Sequence, residues 1–203
     1  MAKKLEGDSS VNPDYYKRDF ENRAEWPLSW YSMALVLIRA AELIWKQVEQ
    51  DKALLMAGKR PATLREGTLV PKLPVHEPFM LLAGLALENL AKAIISKEHD
   101  MLDAKGRLKK QWKTHGLLKL IEKAGVNLEK KELRLAQDLE QFIEWSGRYP
   151  CPLDYMGLLP RTTPEGGVNS PHPGVSGAAA AQWRNIVKAM RRRLDLDKSV
   201  TVT

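Results

Sequence analysis

The chain has 203 residues, a formal net charge of +7, 44% hydrophobic and 28% charged residues, and a single cysteine, Cys151. That length supplies one well-buried core and is short for two. The lone cysteine excludes an internal disulfide and fits a reducing, cytoplasmic compartment. The charged N-terminus has no apolar stretch behind it of the kind a signal peptide needs. The longest apolar run, 79–87, stops at Glu88 and Asn89, so no membrane crossing is expected.

Residues 1–26 mix charged and small polar residues with Tyr15, Tyr16, Phe20 and Trp26, which predicts a loosely ordered, extended N-terminal arm ahead of a single domain over 27–203. The first helix is expected from near Ser29, because Trp30, Ala34, Leu37, Ile38, Ala41, Trp45 and Val48 follow three-and-four spacing, with Gly58 as its stop. Pro61, Pro71, Pro74 and Pro78 rule out a continuous helix over 61–78 and predict an extended connection. Pro78 suits the first turn of a second helix reaching about Ser96, whose first half is apolar nearly all round and so belongs at the bundle centre. Thr114 and Gly125 bound a third helix; Asn127 and Gly147 bound a fourth that buries Leu135, Leu139, Phe142 and Ile143. Residues 148–176 hold six prolines, a length and composition that mark a lid or partner-binding segment. Ser176 or Gly177 opens the last helix, with Trp183, Ile186, Val187, Met190 and Leu194 on one face and Arg191, Arg192 and Arg193 in the final turn, where the helix dipole favours cations. No internal repeat or strand pair is evident. The expected fold is all-α: an up-and-down bundle of four long helices and a shorter fifth, with a long Pro/Gly-rich loop before the last.

Lys105, Arg107, Lys109, Lys110 and Lys113 fall in nine residues without an acid, and Trp112 sits among them. Such a run can lie on the phosphates of single-stranded nucleic acid with an aromatic ready to stack on a base; its simpler role is a solvated loop. Glu88 and Lys92, four apart on the central helix, form an ion pair in the favourable order. His115 follows the Thr114 cap, a position suited to a hydrogen bond with a neighbouring helix or to acid–base work. Arg148 emerges beyond the fourth helix, where its guanidinium can grip phosphate or carboxylate, and Tyr149 beside it can stack or hydrogen-bond. Cys151 lacks the local signature of a nucleophile paired with His115 or His172. The histidines are scattered and Gly166-Gly167 lacks a following Lys-Ser/Thr, so neither a metal, a cofactor nor a phosphate loop is expected.

Three segments carry a resemblance: Leu85-Ala86-Leu87-Glu88-Asn89-Leu90-Ala91-Lys92-Ala93-Ile94, Thr114-His115-Gly116-Leu117-Leu118-Lys119-Leu120 and Ile143-Glu144-Trp145-Ser146-Gly147-Arg148-Tyr149-Pro150. Over roughly residues 77–150 the chain resembles HEPN domains, small helical units found in nucleotide-binding modules and RNA-cleaving toxins. Active members carry Arg, four to six intervening residues, then His; after Arg148 the matching positions read Leu153, Asp154 and Tyr155. The resemblance implies a domain with a lost or altered catalytic motif that binds RNA, nucleotide or a protein partner in phage defence or a toxin–antitoxin system, as a homodimer. It also leaves two alternatives: a divergent, metal-independent endoribonuclease using Arg148 with His115, Tyr149 or Tyr155, and a purely structural interaction module. In a HEPN-like arrangement Glu88 is expected to meet Arg148 across the bundle.

Overall fold

A computed structural model describes residues 12–59, 62–65, 68–71, 76–146, 161–162, 168–169 and 178–195. The first departure from expectation lies in the arm. Residues 13–25 form a regular helix, α1 (Pro13–Glu25), in which the Asn12 side chain accepts the Asp14 N–H at 3.0 Å and Pro13 occupies the first turn. Asn, Pro and Asp in that order are a helix-start signal, outweighed in the sequence reading by the low apolar content. Pro27 holds Trp26 in extended backbone, which ends α1 and starts α2 (Pro27–Met56) two residues ahead of Ser29. Glu25 then fastens α1 to the core: its carboxylate accepts the N–H groups of Met101 and Leu102 at 2.9 and 2.8 Å.

Of the connection expected over 61–78, residues 62–65 and 68–71 are extended and also pair, whereas helix resumes already at His76, ahead of Pro78. β1 (Ala62–Arg65) and β2 (Thr68–Pro71) form an antiparallel hairpin with Ala62 opposite Pro71 and Arg65 opposite Thr68. Pro71 sits at the end of the ladder, where a missing donor costs least. A second, two-residue pairing joins β3 (Arg161–Thr162) to β4 (Val168–Asn169) within the Pro/Gly-rich segment. Neither was read from the sequence, because four- and two-residue strands are too short to show a period.

The other long elements among the described residues are helices. α3 (His76–Glu98) is the central helix and packs against α2, α4 (Leu117–Lys123), α5 (Lys130–Gln141) and α6 (Ala179–Leu194). Its buried positions run almost continuously from Phe79 to Ile95, which is why its sequence is apolar all round. Trp45 and Trp183 both contact the Phe79 ring, and the Trp183 indole N–H donates to the Ala83 carbonyl at 3.2 Å. At Gly84 an added Cβ would lie 2.7 Å from Ile143 Cγ1, so glycine lets α3 and the end of α5 approach closely. There α5 passes into a π-helical turn, Phe142–Ser146.

Two caps differ from those expected. α4 begins at Leu117, after Gly116, and Thr114 Oγ1 accepts the Gly116 N–H at 3.0 Å instead of capping the helix. The cap comes from α5, whose Glu140 carboxylate accepts the Leu118 N–H at 2.8 Å. α5 begins after Glu129 and not at Asn127, with the Glu132 carboxylate accepting the Glu129 N–H at 2.9 Å. α6 buries the expected face, and its last turn is tied to α3 by Lys97 Nζ on the Leu194 carbonyl at 2.6 Å.

Among the described residues two helices, α2 and α3, are long and apolar enough to cross a bilayer by length and composition. The apolar window of α3 is 72% buried inside the bundle, whereas that of α2 is only 17% buried.

Candidate functional site

Burial of a carboxylate and an ammonium inside α3 sets the chemistry of the first cluster. Glu88 and Lys92 are one turn apart on the central helix, and Lys92 Nζ donates to Glu88 Oε1 at 2.6 Å. Their side chains are only 6% and 8% exposed, so water cannot satisfy them and each depends on its neighbours. Lys92 also lies 5.4 Å from the centre of the Trp30 ring, a cation–π contact supplied by α2. The second Glu88 oxygen, Oε2, meets His115 Nδ1 at 2.9 Å. A carboxylate only accepts, so His115 Nδ1 donates to it and Nε2 is the ring nitrogen left for other partners. The His115 side chain is half exposed, which puts it within reach of a ligand.

Both Glu88 oxygens therefore have partners among the described residues, and the cross-bundle partner is His115. Arg148, expected to fill that role, lies outside the described residues, as do Tyr149, Tyr155, Cys151 and His172. Trp30, the face that receives Lys92, was read in the sequence only as core. A buried lysine needs some such partner, but its position on another helix is not encoded locally.

The basic run folds into a fixed loop beside this cluster. The Asp103 carboxylate accepts the backbone N–H groups of Lys105 and Arg107 at 2.8 and 3.0 Å and two Arg107 guanidinium bonds at 3.2 and 3.1 Å. Those bonds, the Arg107 N–H foremost, hold the Asp103 carboxyl below the usual range. Arg107 is thus partly neutralised, and Lys109 Nζ is turned back onto the Asp100 carbonyl at 2.8 Å. Trp112 corrects the sequence reading. Its ring is buried, stacked over His99 with centroids 6.1 Å apart, and its N–H faces the Asp100 carbonyl at 3.4 Å. With 4% of it exposed and one face on His99, the ring offers a base no open face; an aromatic inside a charged run looks exposed only until the chain turns it inward.

What the loop builds instead is a cleft of about 910 Å³ between residues 98–114 and α4. Lys109, Lys110, Lys119 and Lys123 line it, with Thr114, the residue before His115, on its wall. Lys119 and Lys123 did not belong to the sequence run, yet their four-residue spacing places both on one face of α4. Lys105 and Lys113 are exposed but do not line the cleft. No family model, curated protein or solved structure matches this chain.

Proposed function

We propose that this chain is a HEPN-like helical domain that binds single-stranded RNA, chosen from the RNA, nucleotide or protein partner that its resemblance to that family implies, acting in the cytoplasm in phage defence or a toxin–antitoxin system. The observation that carries the binding is the lysine-lined cleft. Four lysines line one opening against two acids, Asp100 and Glu98, the latter engaged by Arg193, so the lining is net positive even with Lys109 Nζ on the Asp100 carbonyl, and that favours a polyanion. With Trp112 buried, affinity comes from phosphate contacts, and sequence preference is weak.

Fluorescence anisotropy with a labelled single-stranded RNA tests this. Log affinity falls with log salt at about −0.7 per phosphate contact, and changing Lys109, Lys110, Lys119 and Lys123 to Gln flattens the slope by about 3. RNA binding without salt dependence, or a quadruple variant that matches the parent at every salt, removes the reading.

The Glu88–His115 pair favours a second reading, a divergent metal-independent endoribonuclease. Here the neutral His115 imidazole takes the proton of a ribose 2′-hydroxyl at Nε2 while Glu88 steadies the imidazolium; the 2′-oxygen bonds to phosphorus, the bond to the 5′-oxygen breaks, that oxygen takes a proton from solvent, and Arg148 is the candidate to grip the phosphate. RNA turnover lost in His115→Ala with RNA affinity kept supports it; absence of turnover in the parent protein leaves the binding role.

A further inference from the structure

We propose that His99 is a stacking platform in the cleft, where a nucleobase of the bound single strand lies on the outer face of its imidazole while the phosphates lie on the lysines. This role rests on the RNA-binding reading and adds to it a contact that ammonium groups cannot make.

His99 directly follows α3, and its N–H donates to the Ile95 carbonyl at 2.9 Å, so the helical turn continues through it and fixes its backbone. Beneath it lies the buried Trp112 ring, with centroids 6.1 Å apart and planes 26° from parallel, an offset stack. One face of the imidazole is thereby taken. His99 is nevertheless exposed and lines the cleft, so what it offers there is its ring edge and its opposite face. A flat ring resting on a buried indole has little rotamer freedom left to lose, which makes it a pre-organised surface for a planar ligand.

The cations stand beside that surface. The Asp100 carbonyl, next in the chain, accepts from the Lys109 ammonium at 2.8 Å and faces the Trp112 indole N–H at 3.4 Å. Lys109 is therefore held alongside the ring pair, and Lys110, on the single-turn helix Lys110–Trp112 that carries the indole, is exposed in the same cleft. In a nucleotide one ribose separates base from phosphate, so a base on His99 leaves its backbone among these ammonium groups. An aromatic face flanked by cations is the chemistry of single-strand grooves, and it accepts any base because every base has a π-face. An aliphatic side chain would shield Trp112 from water equally well. What imidazole adds is a second π-face toward the cleft.

Fluorescence anisotropy with two labelled ligands tests it: a short single-stranded RNA, and an abasic chain of the same length that keeps every phosphate and has no base. The parent protein is expected to bind the RNA roughly 5- to 150-fold tighter than the abasic chain, the range of one base–aromatic stack, with the same salt slope for both. His99→Leu, which still covers Trp112, removes that preference and leaves affinity for the abasic chain unchanged; His99→Phe, which restores a π-face, keeps it. A measurement on the parent protein needs no variant: RNA, and not the abasic chain, shifts the His99 ring C–H resonances upfield through the ring current of the base. A preference for RNA that survives His99→Leu overturns the proposal, as does a variant that loses both ligands equally, or a His99 resonance that RNA leaves in place. A parent protein that binds both ligands alike with the expected salt slope overturns the stacking and leaves the lysine cleft standing. One that binds neither at low salt removes the RNA-binding reading and this role with it.

Discussion

Glu88→Ala is the most revealing single change, because it removes a charge that two other groups depend on. The substitution leaves Lys92, whose side chain is 8% exposed, facing the Trp30 ring without its carboxylate. Breaking a buried ion pair by removing one partner costs about 3–5 kcal/mol; the flexible lysine stem lets the ammonium move toward water, so the lower end, about 3 kcal/mol, is expected. His115 also loses its Nδ1 partner, but its half-exposed ring finds water and adds little. At 2–4 °C per kcal/mol for a chain of this size, the melting temperature falls by about 6–12 °C. Scanning calorimetry at neutral pH, with urea titration as a second measure, reads the loss. Adding Lys92→Met to Glu88→Ala recovers about 2 kcal/mol, since the stranded charge is then gone. A single variant that melts within about 1 °C of the parent, or a double variant no more stable than the single one, refutes the account of Glu88 as a buried, paired charge.

Burial pushes the Asp138 carboxyl up to about 6, with Arg134 pulling partly back. The protonated form is favoured in the folded state, so this contribution is full below the unfolded value near 3.8 and is lost as pH rises through about 6. Because the group is partly solvated, Asp138→Asn should gain about 1 kcal/mol on the parent between pH 4 and pH 8, read by urea unfolding at both. Gly84→Ala forces a Cβ to within 2.7 Å of Ile143 Cγ1 and 3.1 Å of the Leu139 carbonyl; net of better helix propensity it should cost about 1–2 kcal/mol, and Ile143→Ala in the same chain should relieve part of the clash. Arg184 holds the Glu42 carboxyl below its usual value through a side-chain hydrogen bond, so the stability of this α2–α6 pair is present above the unfolded carboxylate pKa and lost as pH falls through the lowered one. Both side chains are partly exposed, so Arg184→Ala should cost under about 1 kcal/mol, and less at high salt.

The sequence by itself determined the helical class, the central place of α3 and the buried face of α6. All three follow from apolar periodicity, which records how many sides of a helix are covered without saying by what. It also determined the Glu88–Lys92 pair, since residues four apart on a helix are neighbours in any fold. Local signals for α1 were present in Asn12, Pro13 and Asp14, but a helix so polar is held by the Glu25 bonds to Met101 and Leu102, which lie in a distant loop. Only the tertiary structure decided that Glu88 reaches His115, that Trp30 receives Lys92 and that Glu140 caps α4. It alone turned Trp112 inward and placed Lys119 and Lys123 across a cleft from Lys109 and Lys110. These outcomes share a cause: a side chain's partners across the bundle depend on how helices are stacked and rotated, and spacing along one helix carries no record of its neighbours' rotation.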